Sequence, residues 1–276
     1  MSENKKIKGQ YSTFPHLHEI QQTDSVFNKY QKAGRRKFQG REDDQEKLRR
    51  ELFLKGDYKN LYDELELWNF HEKEFKGKGI KIAIFDSGIS DEVVSQLNIA
   101  GKMDFTGEIQ DNEATSHGTF IASVIGSQNS NCPGIVPEAE LYIFKVFNKN
   151  HDSYTEWFLN AFNYAIEKGI DIINLSNGSS DFQDNPFIDK INEVTGKGIT
   201  VVSSIGNDGP EQGTLNNPAD MINVIGVGSL NQAKTGIAHF SSRGITTWNL
   251  LKEIGIIKPD VITLGEKIGG LDITGS

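Results

Sequence analysis

The sequence predicts an α/β fold built on a mostly parallel sheet. Three features of its 276 residues carry that expectation. Short apolar runs of strand length recur from Lys81 onwards. Stretches with helical spacing, about 10–15 residues long, separate them. Each apolar run then ends in a cluster of Gly, Ser, Asn or Asp. Short buried strands joined by helical crossovers must pair in parallel, because a tight hairpin reverses the chain instead.

The elements follow in order. LYDELELWNF spaces Leu61, Leu65, Leu67 and Trp68 as one helix, stopped by the turn at Gly77–Gly79. KIAIF (Lys81–Phe85) is a strand ending at Asp86, and LYIFKVF (Leu141–Phe147) is the next. Ser153 and Glu156 have capping-box spacing, so a helix opens at Ser153. It places Phe158, Phe162, Ala165 and Ile166 on one face and stops at Gly169. IDIINLS (Ile170–Ser176) is a strand, Pro186–Gly198 a helix, and ITVVSSI (Ile199–Ile205) and NVIGVGSL (Asn223–Leu230) are further strands. In such sheets functional residues gather at the carboxyl ends of the strands.

Domain organisation follows from charge. Residues 1–60 are strongly charged and poor in apolar side chains, and read as a linker or charged helix; residues 61–276 read as the folded domain. Residues 1–80 carry 17 Lys/Arg against 14 Asp/Glu, and residues 81–276 carry 12 against 24. A basic arm beside an acidic body argues against a nucleic-acid-binding body. It fits either solvated surface charge or an acidic cleft for basic peptides. No apolar run reaches membrane-spanning length, and no signal-peptide core follows Met1. The single cysteine, Cys132, excludes an internal disulfide and a multi-cysteine zinc site.

Two residues stand out chemically. Asp86 sits in IAIFDSG at a strand end, where turn chemistry, a phosphate-accepting carboxylate and a catalytic carboxylate are all open readings. His117, in SHGTFIASVIG, falls in the first turn of an apolar helix. A cation is disfavoured there by the helix dipole, so an imidazole needs a supporting carboxylate. That carboxylate would bond one ring nitrogen and leave the other to act as a base.

Asp86-Ser87-Gly88 and His117-Gly118-Thr119 resemble the aspartate and histidine segments of subtilisin-type serine proteases, in that family's order. Longer strings from about Leu67 to the end resemble the site-1 protease branch of the family: LYIFKVF, SYTEWFLNAFNYAI, IGNDGPEQGTLNNPAD and FSSRGITTW. The resemblance implies a three-layer subtilisin-like fold and an endopeptidase acting on polypeptides. It implies Asp86 and His117 as catalytic residues, Asn207 as oxyanion donor, and Ser176, Asn177 and Gly178 as a substrate-pairing edge. By themselves Asn207 and Ser176–Gly178 read as ordinary turns. The branch further implies calcium dependence with no specific site assigned, a secretory-pathway location in the endoplasmic reticulum or Golgi lumen, and membrane-anchored transcription factor precursors as substrates cut after Arg-x-x-Leu-like sequences. Residues 1–60 then stand as a propeptide remnant or linker.

Two features depart from the family pattern. No Gly-Thr-Ser-x-Ala-x-Pro segment occurs, so the expected fold is truncated before the nucleophile helix and the chain alone is expected to be inactive. The loop SQNSNCPG, where many subtilisins hold calcium, contains no carboxylate. Arg49–Leu52 fits Arg-x-x-Leu and is a candidate self-processing site; Asp181 and Asp184 are candidate partners for a substrate arginine. The competing class is a peptide-binding remnant without covalent catalysis. A nucleotide-binding domain is excluded by the lack of a phosphate-cradling glycine loop.

Overall fold

The computed structural model describes residues 6–8, 57–108, 115–176, 178–179, 184–246 and 255–275. Arg49–Leu52, Asn177 and Asp181 lie outside the described residues. Strand β1 is Lys6–Lys8, and helices α1 (Asp57–Glu64) and α2 (Leu67–Glu72) precede the body. There follow β2 (Lys81–Asp86), β3 (Ile99–Asp104), α3 (Ser116–Gly126), β4 (Glu140–Lys145), β5 (Asp152–Tyr154), α4 (Thr155–Lys168), β6 (Ile172–Leu175), α5 (Asn185–Gly196), β7 (Thr200–Ser204) and β8 (Ile225–Leu230). The short strands β9 (Gly244–Ile245), β10 (Ile257–Lys258) and β11 (Val261–Leu264) close the chain.

Seven strands form one sheet in the order β11-β8-β7-β6-β2-β4-β3, and every neighbouring pair is parallel. Side chains alternate between its faces, so each central strand must be apolar on both. In β2, Ala83 and Phe85 join Phe144, Phe158, Phe162, Ile173 and Phe187 beneath α4 and α5. Ile82 and Ile84 join Ala122, Leu141 and Ile143 beneath α3. The result is the three-layer α/β arrangement the sequence implied. Each fully buried Phe contributes about 1.5–3 kcal/mol of transfer free energy, which makes the aromatic side the heavier half of the core.

Helix ends follow local chemistry with one correction. Gly169 takes φ 61° and stops α4, as expected of a left-handed C-cap. Asp184 caps α5 by accepting the Phe187 N–H at 3.3 Å, with Pro186 in the first turn. Ser153 is not the cap of α4. It lies in β5, and its hydroxyl donates to the Val146 carbonyl. Tyr154 stands at the cap position without a side-chain hydrogen bond.

The single helix expected over LYDELELWNF is two, broken at Glu66 with φ 50°. The Tyr62 hydroxyl donates to Gly134 O at 2.8 Å and the His71 ring bonds Ile135 O at 2.8 Å. On a continuous helix Tyr62 and His71 would stand roughly 13 Å apart along the axis. Their partners are consecutive residues and their rings are 5.8 Å apart, so the helix must fold back.

Helix α3 covers only part of its face of the sheet. On the same face Val202 pairs with Ile225 and Val227 with Val261. Ile225 is 41% and Val261 50% exposed. The last described residues cross from α3 to the segment between β2 and β3: Leu271 N–H donates to Ser123 Oγ at 2.8 Å, Ser90 Oγ to Ile273 O at 2.7 Å, and Gln96 Nε2 to Gly275 O at 3.1 Å.

Candidate active site

Alternation along β2 decides where Asp86 points. Ile82, Ile84 and Asp86 share a face, and that face is the one α3 packs against. His117 is in the first turn of α3. The two therefore meet at the carboxyl edge of the sheet: His117 Nδ1 lies 2.8 Å from Asp86 Oδ1 and 2.9 Å from Oδ2.

The junction between β2 and α3 is held by mutual capping. Asp86 Oδ1 accepts the Ser87 N–H at 2.7 Å. Ser87 Oγ accepts the Gly118 N–H at 3.2 Å, and Thr119 Oγ1 accepts the Ser90 N–H at 2.9 Å. The α3 amino end thus finds a partner for one of its orphan donors in the Asp-Ser-Gly turn. Gly118 is required for this contact, because a Cβ there would penetrate the Gly88 carbonyl oxygen.

Asp86 is 1% exposed, and the His117 side chain 22%. Burial by itself pushes the imidazole pKa down. The negative charge of Asp86 and its hydrogen bond outweigh that and hold the pKa above its ordinary value of 6.5. With Nδ1–H donating to Asp86, the lone pair of the neutral ring is on Nε2, which makes Nε2 the base.

The other sequence-expected residues lie on neighbouring strand ends. Because β2, β6 and β7 are consecutive in the sheet, their carboxyl-end loops stand side by side. Ser176 and Gly178 follow β6, with Ser176 Oγ accepting Asn174 Nδ2 at 2.8 Å. Asn207 follows β7 and is exposed, about two strand spacings, or ~10 Å, from the β2 row.

The Asn207 loop has supports that sequence reasoning missed. Gly206 takes φ 114°, and a Cβ there would meet Ser242 Oγ at 2.7 Å and Asn216 Cγ at 2.8 Å. The Asp208 N–H donates to Ser242 Oγ at 3.0 Å, and the Ser242 N–H to Gly206 O at 3.0 Å. Ser242 is thus the brace of this loop. Asn216 packs against both loops, since a Cβ on Gly178 would meet its Cβ at 2.9 Å. Asp184 serves the fold: it caps α5 and takes the Thr155 hydroxyl at 2.5 Å.

The family likeness implies calcium, and the described residues gather no carboxylate cluster for it. Among the described residues no group of three or more His, Cys, Asp or Glu side chains is gathered as metal ligands. In the loop after α3, Asn129 Oδ1 already accepts the Asn131 N–H at 2.8 Å, and its Nδ2 donates to Gln96 Oε1.

A carboxylate-steadied imidazole at the carboxyl edge of a parallel α/β sheet has the geometry of the acid–base pair seen in triad hydrolases. The chain belongs to the subtilase family, which it matches over residues 77–276. It is 48% identical over 201 residues to the membrane-bound transcription factor site-1 protease of Rattus norvegicus, covering 73% of this chain and 19% of that protein. It is 44% identical over 223 residues to a subtilisin-like protease of Arabidopsis thaliana, covering 81% of this chain and 21% of that one. Among solved structures, the S41 psychrophilic protease shares the fold with a TM-score of 0.61 and 26% identity, over 72% of this chain and 70% of that one. The chain therefore spans about a fifth of the length of the site-1 protease it matches.

Proposed function

We propose that this chain supplies the aspartate, histidine and oxyanion donor of a subtilisin-like serine endopeptidase of the site-1 protease type. The observation that carries the reading is the contact of His117 Nδ1 with both oxygens of buried Asp86. The nucleophilic serine is assigned to polypeptide beyond Ser276, where residues 270–275 lead from their seat on α3.

In the reaction, Nε2 of His117 takes the serine proton as the serine oxygen bonds the scissile carbonyl carbon. Asp86 stabilises the resulting imidazolium and fixes its tautomer. Asn207 donates its amide to the developing oxyanion. His117 then protonates the departing amine as the C–N bond breaks, and water releases the acyl group by the same steps in reverse. Ser176–Gly178 pairs with the substrate main chain as an added strand. The substrates are polypeptides; membrane-anchored transcription factor precursors and a secretory-pathway location follow only from the site-1 likeness. No helix among the described residues is long and apolar enough to cross a membrane.

The test is fluorophosphonate labelling of the protein expressed through its reading frame beyond Ser276. Labelling on a serine there, lost in His117→Ala, is the expected result. An unlabelled but folded protein favours the competing reading, a peptide-binding subtilase without covalent catalysis.

A further inference from the structure

Among the described residues, every member of the run 205–209 except Asn207 is hydrogen-bonded to another segment. The Ile205 N–H donates to Val227 O at 2.9 Å, and Ile205 O accepts the Asn216 N–H at 3.0 Å. Gly206 O accepts the Ser242 N–H at 3.0 Å, and the Asp208 N–H donates to Ser242 Oγ at 3.0 Å. The Gly209 N–H donates to Phe240 O at 2.8 Å. The bonds that flank Asn207, one on each side, therefore both go to Ser242.

Such an arrangement fixes a direction. A peptide unit is planar, so residue 207 has only its φ and ψ as soft backbone angles. The bond at Gly206 O sets the plane before Asn207, and the bond at the Asp208 N–H sets the plane after it. With both planes set, φ and ψ are set, and so is the direction in which the Asn207 side chain leaves the backbone. Gly206 makes room for this clamp, since a side chain there would run into Ser242 Oγ. Ser242 is itself well anchored. It is fully buried. Its neighbour Ser241 takes the N–H of Ser229, in β8, on its hydroxyl at 3.1 Å. On the other side the Arg243 guanidinium donates to Ala238 O at 2.5 Å and to Ser241 O at 3.0 Å. Strand β8 in turn pairs with β7, the strand that leads to Asn207.

We infer that Ser242 is the positioning residue of Asn207: its main-chain N–H and its hydroxyl oxygen together set the direction in which the Asn207 amide is presented. The effect on rate rests on the peptidase reading above; the fixing of Asn207 does not. An oxyanion donor works by standing in place before charge develops, so its contribution depends on where it points. A misplacement of ~1 Å costs about a hundredfold in rate. Asn207 is exposed and makes no hydrogen bond of its own to a described residue, so its direction comes from its neighbours.

The test has a structural and a kinetic arm. In residues 1–276, wild type and Ser242→Ala are compared by hydrogen exchange at the Asp208 amide and by the NMR order parameter of the Asn207 N–H. Expected are exchange at Asp208 faster by at least about tenfold, since that amide loses its acceptor. The Asn207 order parameter is expected to fall from about 0.85 to below about 0.6, with β7 unchanged. In the protein expressed through its reading frame beyond Ser276, the rate of fluorophosphonate labelling is measured for Ser242→Ala, Asn207→Ala and the double variant. As the serine oxygen bonds phosphorus and fluoride leaves, the phosphoryl oxygen gains negative charge as a carbonyl oxygen does. Asn207→Ala is expected to slow labelling about a hundredfold. Ser242→Ala is expected to slow it at least about tenfold, but less than about twofold once Asn207 is alanine, because a residue that acts through another has no effect in its absence. A merely structural role slows both backgrounds alike. Ser242→Cys keeps the backbone N–H and nearly the volume but offers a weak acceptor, and it takes the place of Ser242→Ala, with the same expected pattern, if the alanine chain does not fold. Unchanged exchange and order, or equal slowing in both backgrounds, overturns the inference and leaves the peptidase reading standing. Asn207→Ala labelled at the wild-type rate overturns the inference together with the oxyanion assignment. A loosened Asn207 in a protein that takes no fluorophosphonate supports the inference and overturns the peptidase reading alone.

Discussion

At the scale of single residues, the pairing of His117 with Asp86 has a definite pH signature. The imidazole pKa is raised above 6.5 in the folded chain because the Asp86 charge outweighs the burial that lowers it. A raised folded pKa means the imidazolium form is favoured by folding. Its contribution is fully present below the unfolded value and is lost as pH rises through the folded value. Asp86→Asn removes the charge but keeps the shape. Expected is a His117 pKa below that of the wild type by NMR titration, and loss of the extra stability the wild type gains on acidification between the folded value and 6.5, read as urea midpoints against pH. An unchanged titration would show that the charge of Asp86 does not govern the ring. Asp86 and His117 were legible in the sequence because each is marked by local chemistry: a strand-end turn and an imidazole in an apolar helix's first turn. Ser242 and Asn216 were not, because what makes them matter is contact with Gly206 and Gly178, and nothing local records a partner so distant in the chain.

At the scale of elements, the junction of β2 with α3 is limited by steric space. Gly118→Ala places a methyl group inside the Gly88 carbonyl oxygen, which is backbone and cannot swing away. Overpacking of this kind costs about 1–3 kcal/mol, and α3 must shift away from Asp86 to relieve it. The expected outcome is a lower urea midpoint together with a His117 pKa moved back towards its ordinary value. Gly196→Ala is the contrast: no atom stands within 4 Å of the added methyl, and the change is expected to be neutral or to stabilise α5 by up to about 1 kcal/mol. Elements with a strong period, such as β2, α3, α4 and β6, were readable because burial on a fixed face dictates their pattern. Strand β3 was not, since IAGKMD is an edge strand with Lys102 and Asp104 exposed on it. The break at Glu66 was not either: its cause is the pair of neighbouring carbonyls on Gly134 and Ile135 that Tyr62 and His71 reach together.

At the scale of the whole molecule, the two faces of the sheet are unequally covered. One face is closed by α4, α5 and a cluster of phenylalanines. The other is closed by α3 over β2 and β4, while Ile225 and Val261 remain 41% and 50% exposed on β8 and β11. Residues 270–275 lie on the α3 side of the sheet, against Ser123 of α3 and against Ser90 and Gln96 in the segment after β2. If polypeptide beyond Ser276 carries the serine across this face, burial of the open half and completion of the triad are one event. Covering the exposed halves of Ile225 and Val261 is worth about 1.5–2.5 kcal/mol, since full burial of such a side chain is worth about 1.5–3. At roughly 2–4 °C per kcal/mol for a chain of this size, the protein extended through its reading frame beyond Ser276 is expected to melt about 3–10 °C higher than residues 1–276, with less binding of a hydrophobic dye. Val261→Asp should change residues 1–276 by less than about 0.5 kcal/mol, because the position is half exposed, yet remove most of the gain from extension. Equal melting temperatures and equal dye binding in the two lengths would mean that the following segment does not seat on this face, and the serine would then have no route to His117 from that side.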